Sequence, residues 1–242
     1  MKFAAALLLA LIPLIVCSAQ PADSASGKIK ITASLSINSN GMNPIPAFAL
    51  GKPAATASIS AVAGRFSYDP GLAYGLDAKP WYIDNWFHFI IINRTHFKLR
   101  TGINFSMFFS EKSITNEKFL EGVRYWTGDL EGIFIFNPST SVVLSYWSDN
   151  GQEHGTLTGH FVSLTGEKNS IGLGKSVKMT ASVQVFMISY DGPNDGVFVS
   201  PKVSFFYRKC PLSVYSQFNQ PVKTDIVPYP GFQWNIGAAY TF

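Results

Sequence analysis

Residues 232–242 alternate between two kinds of side chain, and this period of two constrains the fold more than any other feature of the chain. Phe232, Trp234, Ile236, Ala238, Tyr240 and Phe242 make one face, and Gln233, Asn235, Gly237, Ala239 and Thr241 make the other. Successive side chains of a strand point to opposite sides, so such a run forms a sheet with one apolar face. Residues 97–110 repeat the pattern, with Phe97, Leu99, Ile103, Phe105, Met107 and Phe109 against Lys98, Arg100, Gly102, Asn104, Ser106 and Ser110. Ile29, Ile31, Ala33, Leu35 and Ile37 do the same near the start. Turn residues between such runs predict twelve strands, at about 28–38, 55–63, 66–76, 81–92, 97–110, 122–136, 141–148, 155–165, 177–190, 197–208, 211–219 and 232–242, with ten or fourteen as alternative counts. Most exceed the five or six residues of a soluble strand and match the roughly nine to eleven of a tilted membrane strand.

Composition decides which medium the apolar face meets. Hydrophobic residues are 47% and charged residues 14% of the chain, against about 25% charged in a soluble domain. The formal charge of +4 comes without a basic run, so no nucleic-acid partner is expected. The second face is mainly Ser, Thr, Gly, Asn and Gln, whereas a solvated face would carry Lys and Glu. Aromatics near the predicted strand ends, Trp81, Trp126, Trp147, Tyr190, Tyr207, Trp234 and Tyr240, suit the girdles of membrane interfaces. In a soluble β-sandwich, the alternative, they would be core residues. The expected fold is all-β: a transmembrane, antiparallel, up-and-down β-barrel of about twelve strands.

The first residues read as an address. Met1-Lys2 precedes an uncharged apolar run from Phe3 to Val16, broken only by Pro13. That run is too short to span a bilayer as a helix, which takes about 20 residues. Small residues at Cys17-Ser18-Ala19 predict a signal peptide, 1–19, cleaved after Ala19; acylation of Cys17 as a lipoprotein is the alternative. Cleavage removes one of 19 basic residues against 15 acidic ones, leaving +3, and makes Cys210 the only thiol, so no internal disulfide can form. Residues 20–27 read as a flexible leader and 28–242 as the barrel. With a periplasmic N-terminus the outer loops are 39–54, 77–80, 111–121, 149–154, 191–196 and 220–231. Segment 166–176 is then too long for a periplasmic turn.

The ending from Phe232 to Phe242 resembles the C-terminal strand of bacterial outer-membrane β-barrel proteins, with a terminal aromatic and apolar residues at alternate positions before it. The resemblance covers location and architecture across the chain, and identifies no characterised functional family. It implies a bacterial outer-membrane location in contact with lipid. It also implies a barrel-assembly machinery that reads Trp234, Ile236, Ala238, Tyr240 and Phe242.

Face assignment places Lys28, Lys30, Lys98, Arg100 and Lys178 toward the lumen, with Asp69, Asp84, Asp129, Glu131, His88 and His160. Eight strands leave a filled interior and sixteen to eighteen an open channel, so twelve lie between. The leading expectation is a monomeric porin-like channel for small hydrophilic solutes. The alternative is a closed-lumen structural or partner-docking protein, with loops 39–54 and 111–121 as the docking surface. Loop 39–54, with Met42, Ile45, Phe48 and Leu50 among prolines, is expected to pack on the rim; folding inward to constrict the pore and docking a partner are its alternatives. A third class is a hydrolase at the outer rim. The His-x-Ser pair of outer-membrane lipid hydrolases is missing, since Ile90, Lys98, Thr156 and Val162 follow the four histidines at that spacing. Asp149, Glu153, His154, Asp191 and Asp195 could converge at the rim, although acids in such segments are usually turn formers. No P-loop, CxxC or HExxH occurs, and no cofactor, metal site or catalytic residue is expected. Cys210 reads as structural.

Overall fold

Each alternating run forms a strand and pairs antiparallel with the next, most of them across short turns. The computed structural model describes residues 28–114, 117–191, 194–208 and 210–242. The strands are β1 (Lys30–Asn38), β2 (Ala54–Ala63), β3 (Phe66–Gly75), β4 (Pro80–Asn93), β5 (Phe97–Ile114), β6 (Glu117–Asn137), β7 (Thr140–Gly151), β8 (Thr158–Leu173), β9 (Val177–Tyr190), β10 (Asn194–Tyr207), β11 (Leu212–Thr224) and β12 (Gln233–Thr241). They close into a twelve-strand barrel in which β1 pairs with β12, from Ser34 opposite Thr241 to Asn38 opposite Gly237. Closure pairs the first strand with the last, so among the described residues the sheet has no edge strand. Among the described residues no helix is long and apolar enough to cross a membrane. The predicted signal peptide, the leader and the cleavage position lie outside the described residues.

β1 starts and β12 ends at the same end of the barrel, here called the base; the opposite end is the mouth. The expected loop 111–121 is mostly ladder, with Glu111 opposite Leu120 and Ile114 opposite Glu117. Segment 166–176, too long for a turn by sequence, is largely strand, and the connection shrinks to 174–176, where Gly174 takes a φ of 77°. β11 likewise runs on to Thr224. In these stretches the apolar alternation fades while backbone pairing continues, so the pattern alone ends the strands too early.

The side chains are arranged inside out. Ile236, Leu130 and Val185 are 49%, 46% and 43% exposed, and similar residues ring the outer wall. Asn104, Ser106, Thr127, Ser145, Ser163, Ser200 and Asn235 are buried in the interior. An apolar belt of this extent far exceeds the few hundred Å² that soluble monomers expose. Trp126, Tyr207, Trp234 and Tyr240 stand on the outer wall as expected. Trp81, Trp147 and Tyr190, read from sequence as girdle residues, instead turn inward. A bulge between Ala73 and Tyr74 inserts Trp81 into the register, which seats it inside against Tyr82. Trp147 pairs with Phe161, and its ring stacks on that buried side chain.

The apolar core is small and lies within the mouth. Ile45, from the loop after β1, packs on Phe161, Phe186, Ile188 and Phe198 of β8, β9 and β10. Three of these lumen-side residues are phenylalanines, which would otherwise face a water-filled bore. Burying the Ile45 side chain is worth about 1.5–3 kcal/mol. The loop therefore folds into the lumen rather than packing on the rim. A 3₁₀ turn, Pro46–Phe48, forms its tip, and its neck is closed by hydrogen bonds from Gly41 N to Lys52 O and from Leu50 N to Gly41 O, both 2.8 Å.

Candidate functional site

The middle of the lumen carries a belt of paired acidic and basic side chains on β3–β6. His88, Gly102 and Asp129 are register partners on β4, β5 and β6. A Cβ at Gly102 would meet the His88 ring and the Asp129 carboxylate, so the missing side chain lets those two reach each other across β5. His88 Nδ1 lies 2.9 Å from Asp69 Oδ2, and Nε2 lies 3.6 Å from Asp129 Oδ2. Asp69 also accepts hydrogen bonds from Ser60 Oγ at 2.5 Å and Ser67 Oγ at 2.7 Å. One step toward the base, Arg100 donates from Nε and Nη2 to Glu131 Oε2 at 2.9 and 2.5 Å. Ser145 Oγ donates to the other Glu131 oxygen at 3.4 Å. Asp84 sits nearer the mouth and accepts from Asn104 Nδ2 at 3.3 Å.

The remaining sequence candidates lie apart from this belt. Lys28 and Lys30 lie at the base, where β1 begins, and Lys98 lies there near the start of β5. Lys178 lines a cavity of ≈ 540 Å³ at the base with Thr180, Phe206 and Arg208. His160 belongs to the outer wall, a correction to its assignment to the lumen. Its neighbour Phe161 is buried inside, and alternation turns His160 outward, where its Nδ1 lies 2.9 Å from the hydroxyl of the exposed Tyr146.

An arc of rings follows the inner wall above the charges. Trp86 stacks on His88, with centroids 5.2 Å apart, and meets Trp147 at 5.7 Å. Trp147 lies 4.7 Å from Phe161, Phe161 lies 5.3 Å from Phe186, and Phe186 lies 5.0 Å from Phe198. The infolded loop 39–53, a plug in the mouth, meets the arc at Ile45 and meets β5 and β6 at Phe48, whose ring is 4.2 Å from Phe108 and 5.0 Å from Tyr125. Trp81 Nε1 donates to Phe48 O at 2.8 Å and fixes the tip. None of these inward aromatics was singled out from sequence as lumen residues. Their signal is parity: Trp86, Trp147, Phe186 and Phe198 share the inward register of the polar Asp84, Ser145, Gln184 and Ser200 two positions away.

At the mouth, charges hold the neck of the plug. Lys52 Nζ lies 2.6 Å from Asp77 and 3.5 Å from Glu111, and Lys79 Nζ lies 2.7 Å from Glu111. The hydrogen bond from Lys52 holds the Asp77 carboxyl below its ordinary range, and the same bond raises the Lys52 ammonium above its own. The five rim residues do not converge. Glu153 is bound by Arg124, backbone N–H at 2.7 Å and Nε at 2.6 Å, and the backbone N–H is the main reason its pKa falls. Asp191 accepts from Thr158 N at 3.2 Å. Asp195 N donates to Asp225 at 2.6 Å. Asp149 lies inside, accepting from the Tyr190 hydroxyl at 2.8 Å, while His154 is exposed. Among the described residues no three His, Cys, Asp or Glu side chains are grouped to hold a metal ion.

Known structures share the architecture. The KdgM porin in complex with disordered oligogalacturonate superimposes with a TM-score of 0.57 at 11% identity, over 87% of this chain and 99% of that one. A second KdgM porin structure gives 0.56 at 11% identity over the same shares. Outer-membrane expressed OmpT of Vibrio cholerae overlays more loosely, at 0.48 and 10% identity, over 92% of this chain and 100% of that one. No protein-family description and no curated protein matches the sequence. At 11% identity the likeness is one of fold: the chain has the closed, twelve-strand, antiparallel barrel of the KdgM porin.

Proposed function

We propose that this protein is a porin-like channel of the bacterial outer membrane, passing small hydrophilic solutes through a lumen narrowed by its own loop 39–53. The observation that carries this reading is the inversion of the barrel, with an apolar outer wall around a polar, charge-bearing interior. The fold likeness to the KdgM porin supports it. That porin's oligogalacturonate, a chain of sugar acids, is not extended to this lumen. Among the described residues Asp69, Asp84, Asp129, Glu131 and Asp149 outnumber the basic side chains at mid-height, His88, Arg100 and Lys202, the last of which sits over the Tyr215 ring. Export by residues 1–19, and handling of the strand ending in Phe242 by the barrel-assembly machinery, belong to the same proposal.

The plug also favours a second reading, a closed barrel with a structural role, because Ile45 and Phe48 fill the mouth. Single-channel recording in planar bilayers separates the two. The channel reading expects small ion steps from the intact protein and larger ones once residues 43–50 are replaced by a short Gly/Ser link. Silence from both proteins at every voltage would overturn the channel reading and leave the closed barrel.

A further inference from the structure

Between the plug and the charged belt the lumen holds a cavity of ≈ 120 Å³ walled by Phe48, Trp86, Phe108, Tyr125 and Trp147. Trp86 and Trp147 meet at 47°, and Phe108 and Tyr125 stand edge to face at 79°. The rings thus close on the space from several directions. Two carboxylates, Asp84 and Asp149, also line it, and no Lys, Arg or His does.

These two acids differ from the three of the charged belt. Glu131 is bound by Arg100, and Asp69 and Asp129 flank His88. Asp84 takes a hydrogen bond from Asn104 and Asp149 one from Tyr190, both from neutral donors. Neither forms a salt bridge among the described residues. A secluded negative charge calls for a positive partner, and aromatic faces attract cations, most strongly desolvated quaternary ammonium groups.

We propose that this aromatic cavity is a binding site for a compact organic ammonium ion, with the cationic head over the ring faces and its charge met by Asp84 and Asp149. The inference rests on the channel reading and names the class of solute that the lumen takes. Size supports it. The space holds about four waters at about 30 Å³ each, enough for a trimethylammonium head and too little for an oligosaccharide. A second cavity of ≈ 320 Å³ adjoins it below the plug, sharing Asp84 and Trp86 as lining residues with Asp69 and Tyr82.

The test is titration of the detergent-folded full chain with choline chloride and tetramethylammonium chloride, read by calorimetry and tryptophan fluorescence. Sodium chloride at matched ionic strength and glucose serve as controls. Saturable binding of both ammonium salts, absent for the controls, is expected. It should weaken by about tenfold or more in Asp84→Asn and in Trp147→Leu, each checked for folding by its heat-dependent gel shift. Wild-type protein that is folded yet shows no saturable ammonium binding overturns the proposal, as does binding that both variants leave unchanged. Because binding is read without a membrane current, it fails independently of the channel reading. A barrel that conducts but ignores choline loses the site alone, and one that binds choline but never conducts loses the channel alone.

Discussion

The Phe48 ring stacks on the Phe108 ring at 4.2 Å and 12°, which fixes the first mouth loop to the inner wall of β5. Both residues carry their rings inside the barrel, so the loop belongs to the bore. Phe48→Ala removes this stack and about 1–2 kcal/mol of burial, since the side chain is only partly covered. Its expected effect is a larger or more frequent ion step in planar bilayers, with the gel shift of the folded barrel retained. Unchanged currents would show that Phe48 does not narrow the conducting path.

Arg100 and Glu131 form the closest ion pair of the lumen belt, at 2.5 Å. Arg100→Ala leaves a largely buried carboxylate without its main donor, and a loss of about 1–3 kcal/mol in urea unfolding from micelles is expected. The exchanged pair Arg100→Glu with Glu131→Arg should recover part of that loss. Equal stability of wild type and Arg100→Ala would mean that lumen water screens the pair fully.

The neck of the plug should respond to extremes of pH. Lys52 lowers the Asp77 pKa, so the carboxylate contributes above its unfolded value, and that contribution disappears as pH falls through the lowered folded value. The Lys52 pKa is raised, so its ammonium contributes below the unfolded lysine value and is lost as pH rises through the raised folded value. Currents are expected to stay flat across the neutral range and to rise only in strong acid or strong base. Lys52→Met should conduct at pH 7 as the wild type does in strong acid, and a wild-type current that changes smoothly between pH 5 and 9 would contradict the latch.

Leu130 stands on the outer wall midway along β6. Leu130→Arg places a charge against lipid tails and should destabilise the barrel in bilayers by about 2–4 kcal/mol if the site is near the midplane. Ser145→Arg, on the lumen face of β7, is the comparison, because its charge would meet the polar belt beside Glu131. Refolding yields into liposomes measure both, and equal losses would argue that the two faces have been exchanged.

Strand number, order and facing were legible in the sequence because alternation survives wherever one wall is apolar, as from Phe97 to Phe109. Strand ends were less legible. Glu117, Lys118 and Glu121 pair in a ladder beyond the apolar belt, where no alternation marks them. The grouping of Asp69, His88 and Asp129 needed register, because those residues lie far apart in sequence and Gly102 between them carries no side chain to announce its role. The greasy loop 39–54 was legible as unusual, with inward folding weighed as an alternative to packing on the rim, but the surface that receives it was not. Its partner, the cluster of Phe161, Phe186, Ile188 and Phe198, lies more than a hundred residues away. Trp147 and Tyr190 misled for a related reason: an aromatic near a strand end fits either wall, and parity decides which.

Which wall of the barrel meets lipid is tested directly by single-tryptophan variants. Trp126 and Trp234 are exposed on the outer wall, whereas Trp86 and Trp147 line the interior cavity. In liposomes with brominated acyl chains, a protein retaining only Trp126 or only Trp234 should be strongly quenched, and one retaining only Trp86 or only Trp147 should keep its emission. Equal quenching of all four, or strong quenching of Trp86 with Trp126 spared, would contradict the inside-out barrel.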